Sequence, residues 1–418
     1  MIVEMMRWLH FMEMIDKLIS DCECELVDTF KILDCICYEN SKKVLDAFHD
    51  TRVSASDFNG TTGYGYGDTG RDKIEQVYSL VFDAEDAIVR NQFISGTHAL
   101  SVSLFALLRP GDKFISITGL PYDTLHPVIG ITENDSSLKA FGVDFDYINL
   151  INNDFDYEKI KDSLDGVKLV HIQRSIGYGN RNTISIKQIE DVVKFIRKIN
   201  EKIIIFVDNC YCEFCSLKEP TEAGADVVVG SLIKNLGAGI ANNGAYVAGN
   251  KDLIQLVSER LTVPGQGKEV GPSLGQNRNF LLGLYLAPKT IVSALKVKAL
   301  TNLMCKKCHI DTVNSNLDDI VLGILFRDKD KLISYTKSIQ NSSAIDSEFT
   351  PCPTEMPGYD NDIIMASGSF VDGSSIELSC DAPIREPYIL YQQGSLTYEY
   401  GKLAVRCAFN KLIEKGDL

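Results

Sequence analysis

Short apolar runs that alternate with helical patterns predict an α/β protein. It has a large domain on a mostly parallel sheet and a smaller α+β domain after it. Three observations carry this. Apolar or β-branched runs recur at 87–95, 113–118, 167–173, 202–208, 227–231 and 244–248. Helical patterns separate several of them, as at 98–108 and 186–199. Beyond Pro288 the texture changes to a long helical stretch, an alternating segment and a last helix.

In chain order, residues 1–59 read as an acidic helical segment. Met5, Trp8, Leu9, Met12 and Ile15 recur there at helical spacing, a face suited to oligomer packing or a partner surface. Residues 57–70 are rich in glycine and turn formers and read as a loop. A helix pattern follows at 72–82, and the large domain is bounded at 60–285. The small domain, 286–418, holds a helix at 290–304, an alternating segment at 368–379 and a helix at 397–415.

Composition narrows the function classes. Apolar residues make up 45% and charged residues 24%, which is globular rather than disordered. Lys and Arg total 42 against 57 Asp and Glu, a net charge of −15, which argues against nucleic acid as a partner. No run approaches about 18 uninterrupted apolar residues, so no membrane span is expected. Glu4, Arg7, Glu13 and Asp16 break the N-terminal apolar run, which reads as an amphipathic helix and not a signal peptide. The twelve cysteines are then expected as free thiols in a reducing cytoplasm, with no metal site.

The strongest chemical candidate is a pair. The strand pattern 202–208 ends in Asp208, and the strand pattern 227–231 is followed by Lys234. Functional groups in open parallel sheets sit just past the carboxyl ends of strands. An amine and a carboxylate in one crevice suit pyridoxal phosphate, whose aldehyde binds lysine and whose pyridine nitrogen needs an acid beside it. Their bland roles are a helix N-cap and a surface lysine. Ser95-Gly96-Thr97-His98 lies between a strand and an apolar helix, where free N–H groups and the helix dipole suit a phosphate. Ser231 adds a hydroxyl, and Tyr122 follows the next strand, placed to stack on a flat ring.

Other motifs carry less. Gly65-x-Gly67-x-x-Gly70 fits a dinucleotide fingerprint, but no strand pattern precedes it. Cys305-x-x-Cys308-His309 matches haem attachment without an export signal, and Cys212 with Cys215 makes a second Cys pair far away in sequence.

The order Ser-Gly-Thr, Tyr, Asp, Ser-x-x-Lys resembles fold-type-I pyridoxal-phosphate enzymes. The likeness is close to the aluminium-resistance, methionine γ-lyase-like group, related to cystathionine β-lyase. It rests on Gly63-Tyr-Gly-Tyr-Gly-Asp, Gln-Phe-Ile-Ser-Gly-Thr-His-Ala-Leu ending at Leu100, Gly119-Leu-Pro-Tyr-Asp-Thr-Leu, Val207-Asp-Asn-Cys-Tyr, Gly230-Ser-Leu-Ile-Lys-Asn and Asp381-Ala-Pro-Ile-Arg-Glu-Pro-Tyr. It spans about residues 40–405 and implies a seven-stranded sheet. It also implies Lys234 as Schiff-base lysine and acid/base, and Asp208 on the pyridine nitrogen. Gly96, Thr97 and Ser231 would hold the phosphate, and Tyr122 would stack on the ring and assist the leaving group. Tyr64 and Tyr66 would reach the phosphate of a neighbouring chain, so a homo-oligomer, dimer or tetramer, is implied. Arg385, with Arg174 as second candidate, would grip the carboxylate of a small amino-acid substrate.

Six departures fall near the substrate side: Ile176, Cys212, Leu236, Ala238, Cys380 and Ala382 replace the group's Arg, Gly, Pro, Gly, Ala and Gly. The resemblance implies a carbon–sulfur lyase acting on a sulfur amino acid. The alternatives are transamination, racemisation or aldol cleavage with the same cofactor, or a regulatory protein on the same scaffold.

Overall fold

The computed structural model describes residues 2–356, 359 and 361–416, with the backbone alone for residues 2–12. The chain begins with α1 (Ile2–Glu25), α2 (Val27–Asp50) and α3 (Thr69–Val81). It continues through β1 (Asp86–Arg90), α4 (Gly96–Leu107), β2 (Lys113–Ser116), α5 (His126–Ile129), β3 (Asp144–Tyr147), α6 (Tyr157–Ser163) and β4 (Val167–Gln173). Next come α7 (Ile186–Ile199), β5 (Ile204–Asp208), β6 (Val227–Ser231), β7 (Ala245–Gly249), α8 (Lys251–Leu261) and α9 (Asn277–Lys307). Last are β8 (Asp311–Val313), β9 (Val321–Leu325), α10 (Lys329–Asn341), β10 (Ile363–Ser367), β11 (Ser379–Pro383), β12 (Ile389–Gln393) and α11 (Tyr398–Lys415).

These elements form two compact units. The larger holds residues 39–177 and 183–287; the smaller holds 1–38, 178–182 and 288–418. Residues 1–59, read from sequence as one segment, are thus divided within α2.

The large unit is built on a seven-stranded sheet in the order β1-β7-β6-β5-β4-β2-β3. Only β7 runs against the others, pairing antiparallel with both β1 and β6. The strands are apolar on both faces because both faces are covered. Leu169, Phe206 and Val229 face one layer with Leu100, Leu104, Ile254 and Val257 of α4 and α8. Val170, Ile205 and Val207 face the other with Ile160, Ile189, Val192 and Ile196 of α6 and α7. The sequence reading lacks β3, whose Asp-Phe-Asp-Tyr is mostly exposed at the sheet edge and carries no buried-strand signal.

The small unit carries a five-stranded antiparallel sheet, β10-β11-β12-β9-β8. The alternating segment 368–379 is not a strand but the turns joining β10 to β11. Gly373 and Leu378 there have φ of 73° and 88°, a left-handed backbone that a strand excludes. Helix α9 passes through Pro288, the point where the two units divide, and begins 13 residues before the expected 290–304 while ending three residues after it. It is long and apolar enough to span a membrane by length and composition, but its apolar stretch is mostly buried in the protein, as in a core helix.

The apolar face of α1 is largely an internal surface. Met5, Trp8, Leu9 and Met12 have side chains outside the described residues, but Ile15, Ile19 and Cys22 pack with Val297, Leu300 and Met304 of α9 and Ala404, Val405 and Ala408 of α11. Ion pairs bracket that contact: Asp16 with Arg406 and Glu23 with Lys402, at 2.5 and 2.7 Å. Ile19→Ala is therefore expected to cost about 2–5 kcal/mol, as a truncation in a packed core does. A denaturant titration showing no loss would contradict a structural role for α1.

Candidate active site

Asp208 is the last residue of β5, and Asp208 pairs in register with Val229 of β6. That register puts Ser231, two residues on, and the Ser231–Lys234 turn beside the end of β5. Helix α4 starts against the same place. Ser95 caps it, its Oγ accepting the His98 N–H at 3.0 Å. Gly96 lies so near β6 that a Cβ there would sit 3.1 Å from Ser231 Cβ and 3.5 Å from Cys210 Sγ. Only glycine permits that approach of the helix N-terminus to the strand end.

A cavity in the large unit is lined by Thr97, Tyr122, Gln173, Ser175, Gly177, Asp208, Cys210, Tyr211 and Lys234, with Leu100, Thr124 and Leu125. Four residues named from the sequence therefore meet in one hollow: Thr97, Tyr122, Asp208 and Lys234. Gly96 and Ser231 do not line it but lie close to each other, and Gly96 also to Cys210, which does. Tyr122 is held by its N–H on Gln173 Oε1 at 2.7 Å, and Thr97 and Thr124 share a 2.9 Å hydroxyl contact. The His98 imidazole is turned away to accept the Ile94 N–H at 3.2 Å, a packing role.

Burial pushes the Asp208 carboxyl up; Lys234 and the Cys210 N–H (3.1 Å) and thiol oppose it. For Lys234, burial works against the charge, but Cys210, Tyr211 and Asp208 outweigh it and hold the ammonium more firmly than usual. Its Nζ lies 3.9 Å from the centroid of the Tyr211 ring, a cation–π contact. Tyr211 escaped the sequence reading although its motif was quoted. Its signal is conformational: Tyr211 and Phe214 have φ of 73° and 58°, rare for bulky residues and concentrated at functional sites. Cys212, which replaces a glycine of the relatives, has no positive φ and fits without strain.

Other sequence candidates lie elsewhere. Arg174 does not line the cavity. It is fully buried, with Nε donating to Ile184 O (3.2 Å) and Nη1 to Asn209 Oδ1 (2.7 Å). Tyr64 and Tyr66 are exposed, 72% and 62%, on the glycine loop, and do not line this chain's cavity. That loop has Gly63, Gly65 and Gly67 all at positive φ and leads into α3 with no strand before it, so the dinucleotide reading fails. Arg385 is exposed in the turn between β11 and β12 of the small unit. All twelve cysteines are free thiols, and no metal-binding cluster occurs among the described residues.

The pocket can be tested against pyridoxal phosphate. Ser231 Oγ is buried, 1% exposed, with no hydrogen-bond partner, beside the free N–H groups of a 12-residue helix. A buried orphan hydroxyl costs stability unless a ligand satisfies it, and a phosphate oxygen would. The residues fit the group.

The fold is that of the fold-type-I proteins; the pyridoxal-5'-phosphate dependent protein YhfS of Escherichia coli superposes with a TM-score of 0.61 at 18% identity, covering 89% of this chain and 96% of that one. The profile of the methionine gamma-lyase family matches residues 15–413, and the chain belongs to that family. A carbon-sulfur lyase involved in aluminum resistance, from Clostridium novyi NT, is 45% identical with a TM-score of 0.91, covering 96% of both chains. The uncharacterized protein YnbB of Bacillus subtilis (strain 168) is 41% identical over 411 residues, 96% of this chain and 97% of its own.

Two substitutions test the geometry. Ser231→Ala is expected to leave the cofactor-free protein as stable or about 1 kcal/mol more so, while weakening pyridoxal phosphate binding. Lower stability with unchanged binding would contradict the orphan hydroxyl. Ala238, after the lysine turn, has a left-handed φ of 49°. Ala238→Gly is expected to stabilise by about 1 kcal/mol in a urea titration, by relieving the left-handed alanine.

Proposed function

We propose that the protein is a pyridoxal-phosphate-dependent carbon–sulfur lyase acting on a sulfur amino acid such as cystathionine or methionine. The observation that carries this is the meeting of the Lys234 amine, the Asp208 carboxylate and the orphan Ser231 hydroxyl at the ends of two adjacent strands beside a helix N-terminus. Family membership supports it.

When bound, pyridoxal phosphate supplies an aldehyde for amines and a ring that accepts negative charge from Cα. Lys234 would hold the aldehyde and would move the Cα proton of the substrate. Asp208 would keep the proton on the ring nitrogen. The Gly96 and Thr97 N–H groups and Ser231 bind the phosphate. Tyr122 covers the ring and donates a proton to the leaving sulfur. Arg385 takes the substrate carboxylate bidentately. Water then supplies the oxygen of the 2-oxo acid, and thiol and ammonia leave. The exposed Tyr64 and Tyr66 complete the site of a second copy, so the working form is a homo-oligomer. A cytoplasmic location belongs to the same reading, in keeping with free thiols throughout.

Purified protein incubated separately with cystathionine, methionine and cysteine is expected to release 2-oxo acid and free thiol in equal amounts from at least one. Lys234→Ala should abolish this. Oxo acid formed only when an acceptor oxo acid is added indicates transamination instead. Visible cofactor absorbance without turnover of any amino acid favours a regulatory role.

A further inference from the structure

Behind Lys234 lies a buried acid that the proposed chemistry does not use. Glu213, in the loop between β5 and β6, is 0% exposed. Its Oε1 accepts the Tyr246 hydroxyl at 3.1 Å, while Oε2 is buried with no partner. Two contacts tie it to the lysine turn. Its carbonyl accepts Asn235 Nδ2 at 3.1 Å, and Asn235 directly follows Lys234. Its carboxyl packs on Gly230, where a Cβ would lie 2.3 Å from Oε1, and Gly230 directly precedes Ser231.

We propose that Glu213 is a positioning residue for Lys234, a buried carboxylic acid that clamps Gly230 and Asn235 on either side of the Ser231–Lys234 turn. The inference rests on Lys234 being the reactive lysine.

The groups facing Glu213 determine when it ionises. Burial pushes it up to about 8; Glu219 adds to this, while its own backbone N–H, the Tyr246 hydroxyl and Lys234 pull the other way. Tyr78 of α3 also faces it and stays a neutral phenol; its hydroxyl is likewise buried without a partner. Cys210, on the same loop, is held well above the usual thiol range by burial. Below about 8 the carboxyl is therefore neutral. Above it, a new negative charge sits near the ammonium and opposes its deprotonation.

The test uses full-length wild type, Glu213→Gln and Glu213→Ala. The rate at which acetic anhydride labels Lys234, which is partly exposed, is followed by peptide mass spectrometry from neutral to mildly alkaline pH, with pyridoxal phosphate affinity measured alongside. The wild-type rate is expected to rise with pH and then flatten near 8. Glu213→Gln, a neutral mimic, should remove the flattening yet keep cofactor affinity at neutral pH within about twofold, whereas Glu213→Ala should lose roughly tenfold. A Gln profile that superposes on wild type, or a Gln variant as weak as the Ala variant, overturns the inference. Wild type that takes up no pyridoxal phosphate overturns the proposed function instead, and the labelling profile alone then decides the role of Glu213.

Discussion

The parallel pairing of β5 with β6 is the constraint on which the candidate site depends. Asp208 and Lys234 are 26 residues apart in sequence. The register Asp208–Val229 removes that separation, because both strands leave the sheet at the same edge. Helix α4 supplies the third side, and it approaches closely only because Gly96 has no side chain to strike Ser231. A displacement of β6 by one residue would turn Ser231 to the opposite face and take Lys234 with it.

The loop after β5 is held by a buried polar lattice rather than by apolar packing alone. Asn209 donates to Glu219 (2.9 Å) and accepts from Arg174 (2.7 Å), while Glu219 accepts the Phe214 N–H at 2.9 Å. Asn40 of α2 donates to the Phe214 and Ser216 carbonyls, both at 3.1 Å. Together these bonds offset the left-handed backbone at Tyr211 and Phe214, which aims the Tyr211 ring under the Lys234 nitrogen. A low-dielectric surround strengthens such bonds and makes each partner's loss expensive. The second half of α2 thus supports the candidate site, whereas α1 belongs to the core of the small unit.

Much of the site was legible in sequence, and for a physical reason. A strand buried on both faces reads as a continuous apolar run, so an acid or lysine at its end stands out, as Asp208 and Lys234 do. Turn glycines and N-cap residues are equally local, hence Ser95, Gly96 and the glycine loop. The edge strand β3 and the turns at 368–379 were not legible. An exposed strand needs no apolar pattern, and a turn that buries Val371 and Ile376 imitates one.

By itself, then, the sequence determined the α/β class, the strand-end acid and lysine and the capped Ser95–Thr97 turn, because each is encoded by neighbours within a few residues. Only the tertiary structure decided the rest. It assigned Arg174 to the support of Asn209, placed Tyr211 against Lys234, left Ser231 without a partner, and set Glu213 behind the lysine turn. Those outcomes depend on which distant side chains share a desolvated space, and hydrogen-bond partners from different strands are chosen by packing and not by spacing along the chain.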